Sequence, residues 1–132
     1  MLSLETIKNL NDLFLKYPKV KLVYFFGSQA KNEAGPLSDY DFAFYLEEKD
    51  TKKLFDLKLD LISNLSQILK TNKIDVVILN EIESPELKYN IIKEGKLIYE
   101  IEPFRLLIEP RILNDYFDFH YSLLRYNLTS PF

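Results

Sequence analysis

The chain has 132 residues, of which 47% are hydrophobic and 14% aromatic, and a formal net charge of −3 from 17 basic and 20 acidic residues. This composition predicts one compact domain and argues against disorder and against a broad nucleic-acid-binding surface. The absence of cysteine excludes thiolate metal sites, the single histidine (His120) excludes a histidine cluster, and without a membrane-length apolar run or a signal peptide we expect a soluble, cytoplasmic protein.

The predicted elements alternate between helices and strands. Apolar residues three and four positions apart predict helices, and β-branched and aromatic runs predict strands. In chain order they are a helix at 4–14, a strand at 20–26, a helical turn at 28–32, a strand at 41–46, a long helix capped by Asp50 or Thr51 and ended by Asn72, a strand at 74–79, a helix at 85–94, a strand at 97–99 and a helical pattern from 103 that Pro110 interrupts. This order predicts an α+β fold (an α/β mixed sheet), with helices on one face of a small mixed β-sheet and a C-terminal helix.

Two acids enter the second predicted strand one residue apart. Because side chains alternate across a strand, Asp39 and Asp41 share a face with Ala43 and Tyr45. We expect the opposite, apolar face to pack under helices and the acids to stay on the open face. Carboxylates this close repel each other unless a cation or proton intervenes, and oxygen ligands suit Mg²⁺ with substrate phosphates. An isolated Asp-x-Asp pair after Ser38 is equally consistent with turn chemistry.

A third acid and a Gly-Ser pair extend this pattern. Asp75 opens the apolar strand at 74–79; beside the second strand it could complete a two-metal site or act as a general base, although a lone acid at a strand entry usually faces water. Gly27 ends the first strand, where a glycine lets the backbone approach a ligand. Backbone N–H groups of a turn beginning at Ser28, together with its hydroxyl, favour an anion such as a polyphosphate.

The spacing of these residues resembles a known signature. Gly27-Ser28, ten residues and then Asp39-Tyr40-Asp41 match the G-S-x(10)-D-x-D pattern of the DNA polymerase β-like nucleotidyltransferase superfamily. The small size, the Ile-Asp-Val-Val-Ile-Leu strand and the aromatic tail are similar to the minimal nucleotidyltransferases (MNT proteins), the MntA-like antitoxins of HEPN/MNT toxin–antitoxin pairs. Many relatives carry Arg and Gly where this chain has Gln29 and Asn32.

The resemblance implies an activity and assigns residues to it. It implies an Mg²⁺-dependent enzyme that transfers AMP from ATP to a tyrosine of a HEPN-type toxin, an RNase, and thereby neutralises it. Gly27 and Ser28 would hold the triphosphate. Asp39, Asp41 and Asp75 would bind the metals and carry catalysis, with Asp75 as the candidate general base. Two alternatives stay open: an antitoxin that acts by binding alone, and a small-molecule nucleotidyltransferase, which usually needs an additional substrate domain.

The C-terminal segment, 103–132, is richer in apolar residues than one packed helix face requires. One helical stripe consists of Ile112, Tyr116, Phe119, Leu123 and Tyr126, and a second of Leu113, Phe117, Leu124 and Leu128. We expect the first stripe to pack on the core and the excess to contact a partner, because aromatic residues are enriched at interfaces. Residues 1–132 are thus predicted to form a single minimal nucleotidyltransferase domain, with 103–132 as its helical partner-contact segment.

Overall fold

The structure, a computed structural model, describes residues 2–27 and 39–125; Ser28 and the turn predicted at 28–32 lie outside these ranges. The described elements are the helices α1 (Leu4–Leu15), α2 (Thr51–Leu69), α3 (Pro85–Glu94) and α4 (Phe104–Arg125), the strands β1 (Val20–Phe26), β2 (Tyr40–Leu46), β3 (Ile74–Ile78) and β4 (Lys96–Glu100), and a 3-10 turn at Leu79–Glu81. The predicted α+β class is confirmed.

The helix ends follow local hydrogen bonding. The side chains of Ser3, Asp50 and Ser84 accept hydrogen bonds from backbone N–H groups in the first turns of α1, α2 and α3. Caps of this kind each stabilise a helix by about 1 kcal/mol. At its other end α2 stops where Lys70 adopts a left-handed conformation with φ of 55°, before the predicted stop at Asn72.

The strands form one mixed sheet in the order β3-β2-β1-β4. β1 runs antiparallel to β2 and to β4, whereas β2 and β3 are parallel and are joined by the crossover helix α2. This topology brings the start of β2, the start of β3 and the end of β1 to the same edge of the sheet. The acids of the sequence motif lie at that edge.

Helices cover both faces of the sheet, so the prediction of helices on one face is wrong. Successive residues of β1 point alternately into two cores, one beneath α1 and α2 and the other beneath α3 and α4. The second core consists of Leu22, Tyr24, Ala43, Leu79, Ile91, Ile108 and Ile112. Ala43 is fully buried, although its face was expected to be open. The acids therefore lie at the end of a covered face.

Helix α4 is continuous over 22 residues with Pro110 inside it, so the predicted interruption at Pro110 is wrong. Proline removes one backbone donor, to the carbonyl four residues earlier. Here that carbonyl belongs to Leu106. Leu106 and Pro110 are both exposed, which allows water to replace the missing hydrogen-bond partner.

None of the helices within residues 2–27 and 39–125 has the length and the apolar composition that a membrane span requires.

A hydrogen-bonded group fixes α4 to the sheet. The Tyr24 hydroxyl donates to Glu109 Oε2 at 2.5 Å, and Arg105 Nε donates to the same oxygen at 3.2 Å. Burial, reinforced by this hydrogen bond, raises the pKa of Tyr24 well above its usual value, so its hydroxyl remains a donor. The N-terminal half of α4 is thereby held against β1.

Candidate active site

Two of the predicted acids are neighbours across the parallel strands. Asp41 in β2 is the register partner of Asp75 in β3 and, on its other side, of Phe26 in β1. Adjacent strands lie about 4.8 Å apart, and register partners direct their side chains to the same face. The structure therefore meets the condition under which Asp75 can act together with the Asp-x-Asp pair. Asp39 precedes β2 by one residue and is exposed.

The three acids influence one another electrostatically. Partial burial, followed by the negative charges of Asp75 and Asp39, raises the pKa of Asp41 to about 6. Burial disfavours the charged carboxylate, and each nearby like charge adds to that effect. The site thus concentrates negative charge that a bound cation would relieve.

Gly27 is fitted against the carboxylate of Asp41. Its φ of +81° lies in the region that favours glycine. A Cβ atom at this position would collide with Asp41 Oδ2 and would lie 3.1 Å from Asp41 Cγ. Sequence reasoning gave Gly27 a role toward a phosphate, and the structure adds this contact with a predicted metal ligand. Ser28, its predicted partner in holding the triphosphate, lies outside the described residues.

Sequence reasoning missed a second glycine beside the site. A Cβ atom at Gly95, which ends α3, would collide with the Ile91 carbonyl and would lie 3.3 Å from Phe26 Cβ. Phe26 is the residue of β1 that pairs with Asp41. The close approach of α3 to β1 thus supports the strand end that carries Gly27. A glycine between a helix and an adjoining strand is the sequence signal for this close approach.

The donor chemistry of this edge fits a hard divalent cation. Asp39, Asp41 and Asp75 offer only carboxylate oxygens, the ligands that Mg²⁺ prefers in proteins. Within residues 2–27 and 39–125, no three Asp, Glu or His side chains are already arranged to hold a metal ion. The assignment of these three acids to metal binding and catalysis therefore remains a proposal. The single histidine, His120, is exposed on α4 and stacks on Tyr116 with ring centroids 5.9 Å apart.

A known family model covers the part of the chain that forms this edge. The family model described as Polymerase beta, Nucleotidyltransferase matches residues 8–103, a range that contains Gly27 and the three acids. The chain belongs to this nucleotidyltransferase family, which confirms the resemblance drawn from the Gly-Ser and Asp-x-Asp spacing.

Two curated relatives are similar to this chain in sequence. The protein adenylyltransferase MntA of Aphanizomenon flos-aquae is 35% identical over 108 residues, covering 74% of this chain and 71% of that protein. A protein of Methanocaldococcus jannaschii named "Putative protein adenylyltransferase MJ0128" is 36% identical over 104 residues, covering 73% of this chain and 99% of that protein. Both relatives carry the same activity in their names.

Solved structures share the fold over almost the whole chain. A chain from a toxin–antitoxin complex with AMP-PNP superimposes with a TM-score of 0.72 at 22% identity and covers 94% of each chain. A chain from the complex of tri-AMPylated Shewanella oneidensis HEPN toxin with MNT antitoxin gives a TM-score of 0.67 at 20% identity and covers 92% of each. At these identities the likeness establishes the shared fold.

Proposed function

We propose that this protein is an antitoxin that transfers AMP from ATP to a tyrosine of a cognate HEPN-type toxin and thereby neutralises it. The observation that carries the proposal is the convergence of Asp39, Asp41 and Asp75 at one sheet edge, with Gly27 packed against Asp41. The identity of about 35% with MntA supports a protein as the acceptor. Because ATP is the substrate, we place the reaction in the cytoplasm.

The proposed transfer is an in-line substitution at the α-phosphorus. The phenolic oxygen of the toxin tyrosine forms a bond to that phosphorus, and the bond to the bridging oxygen of pyrophosphate breaks. The phenolic proton passes to a base, for which Asp75 is the candidate because it lies next to Asp41 and is exposed. Gly27 and Ser28 bind the triphosphate through backbone N–H groups and the serine hydroxyl.

Mg²⁺ is the cofactor that fits the proposed site. When bound, it supplies charge neutralisation for the phosphates and for the leaving pyrophosphate. Asp39 and Asp41 would hold it, with Asp75 either as a third ligand or as the base. The raised pKa of Asp41 in the absence of a cation is consistent with a carboxylate that needs a positive partner in order to stay ionised.

The two roles of Asp75 can be separated with Asp75→Asn. We expect adenylylation to slow by at least about a hundredfold, because either role contributes at least that much. If Asp75 is the base, calorimetry should still show binding of ATP with Mg²⁺; if it is a metal ligand, that binding should weaken in parallel. The pKa of Asp41, followed by NMR, should fall in either case, because the negative charge of Asp75 is one of the causes that raise it. Turnover at the wild-type rate would exclude both roles.

Asp39→Asn tests the function itself. The substitution is nearly isosteric at an exposed position, so the fold and the partner surface should persist. We expect the variant to bind the toxin but to leave it unmodified by intact-mass spectrometry and toxic on co-expression. Asp56→Asn, which removes a charge from an exposed position on α2, is the matched control and should protect fully.

The same experiment distinguishes the alternatives. Full protection by Asp39→Asn with an unmodified toxin would replace the proposal with an antitoxin that acts by binding alone. A wild-type protein that consumes ATP in the presence of small hydroxyl compounds, but never modifies the toxin, would favour a small-molecule nucleotidyltransferase.

A further inference from the structure

Helix α4 has apolar side chains on two opposite sides. On its inner side Ile108 and Ile112 are buried in the second core, and Tyr116 stacks on Tyr89 of α3 with ring centroids 3.9 Å apart. This confirms the predicted packing of the first stripe for Ile112 and Tyr116. Tyr126 of that stripe and Leu128 of the second predicted stripe lie outside the described residues. The other side carries a row that we call the outer stripe, which consists of Leu106, Pro110, Leu113, Phe117, Tyr121 and Leu124.

The outer stripe is largely open to solvent along the helix, with Leu113 half-buried. Leu106 is 77% exposed, Phe117 56%, Tyr121 63% and Leu124 48%. Its members recur every three or four residues, so they form one row, which extends for about 27 Å at 1.5 Å per residue. At 100° per residue the row lies opposite Ile108 and Ile112. A helix against a sheet buries only the side that faces it, and large exposed apolar rows of this kind mark interaction sites.

The position of α4 in the chain separates it from the catalytic fold. The family model ends at residue 103, and α4 begins at Phe104. The solved chain from the toxin–antitoxin complex with AMP-PNP nevertheless covers 94% of this chain. The residues that it leaves unmatched are fewer than the 22 residues of α4. At least part of α4 is therefore shared with that chain, although it lies outside the nucleotidyltransferase model. Its role is thus expected to differ from the chemistry at Asp41.

The middle of the outer stripe is held in place by ring contacts. Phe117 meets Tyr116 edge-on with centroids 5.5 Å apart, and Tyr89 at 6.3 Å. An exposed aromatic side chain that is already fixed loses little entropy on binding, and such residues commonly dominate interface energetics. Phe117 is thus suited to anchor a partner, with the aliphatic members of the row extending the contact on both sides.

Building on the proposed function, we propose that the outer stripe is the docking surface for the protein substrate, and that its occupant is an amphipathic helix of that protein. A single convex row with three- and four-residue spacing pairs best with a second helix of the same periodicity, whose apolar residues fit between its members. Binding there would hold the toxin while its acceptor tyrosine reaches the acids. The contact at the outer stripe would then contribute to the affinity for the toxin, and the contact of the tyrosine with the acids would contribute to turnover.

The test compares two phenylalanines of equal exposure. Phe117→Glu places a charge in the outer stripe, whereas Phe55→Glu places one on α2, where Phe55 is 57% exposed on the other side of the molecule. The HEPN-type toxin of the proposed function is titrated by calorimetry, and its adenylylation is followed by mass spectrometry. We expect Phe117→Glu to raise the Kd and the KM for the toxin at least tenfold, with unchanged kcat at saturating toxin and unchanged ATP binding. Phe55→Glu should match the wild type.

Leu106→Glu and Tyr121→Glu provide the same test away from the Tyr89 stack, should Phe117→Glu fail to fold. Wild-type toxin affinity in these variants, or equal weakening by Phe55→Glu, would overturn the docking surface. It would also be overturned if Phe117→Glu dissociated a homodimer, seen by light scattering, without altering toxin affinity. A wild-type protein that binds the toxin through this row but never modifies it would instead refute the proposed function and leave the docking surface intact.

Discussion

Replacing Asp41 by Asn is expected to abolish transfer while stabilising the protein without metal. Asp41 is the partly buried acid at the centre of the three, and the loss of its contribution to charge stabilisation corresponds to a decrease in rate of about a thousandfold or more. The stability gain follows from the raised pKa of Asp41, about 6, because folding disfavours the ionised carboxylate. Since the side chain retains access to water, we expect about 1 kcal/mol rather than the full value that the shift implies.

The stability gained in Asp41→Asn is expected to depend on pH. A carboxyl group whose pKa is raised on folding contributes stability below its unfolded pKa of 3.8 and loses that contribution as the pH rises through about 6. The advantage of Asp41→Asn, measured by urea unfolding without divalent ions, should therefore be largest above pH 7 and should disappear near pH 4. Adding Mg²⁺ and ATP should raise the melting temperature of the wild type but not that of the variant. A variant less stable than the wild type at pH 8 would contradict the electrostatic description.

Replacing Gly27 by Ala is expected to give the second-largest effect. The new Cβ would force the Asp41 carboxylate to move, and a displacement of 1 Å in a catalytic group can cost about a hundredfold in rate. The φ of +81° would add backbone strain of about 1–2 kcal/mol for any residue with a Cβ. We therefore expect slow transfer together with a lower melting temperature.

A double-mutant cycle separates the two causes. In an Asp41→Ala background there is no carboxylate to displace, so Gly27→Ala should cost only the backbone strain in urea unfolding. A larger cost in the presence of Asp41 would measure the contact between the two residues. Equal costs in both backgrounds would show that Gly27 serves backbone geometry and phosphate binding alone.

Most of the elements, and the family of the protein, follow from local features of the sequence. Helix periodicity, the cap at Asp50, and the Gly-Ser and Asp-x-Asp spacing are local features, because they depend on residues a few positions apart. They therefore predicted the elements within the described residues to within a few positions. They also placed the candidate site at the end of β1 and the start of β2, in the family that the comparisons confirm.

The tertiary structure decided what depends on the order and pairing of distant segments. The strand order placed Asp75 beside Asp41 and created the contact between Gly27 and Asp41, neither of which follows from sequence spacing. The apolar run Leu22–Phe26 of β1 is typical of a strand buried on both faces, but only the packing of α3 and α4 showed what covers the second face. The same packing buried one side of α4 and left the outer stripe exposed, because a helix against a sheet can bury only the side that faces it.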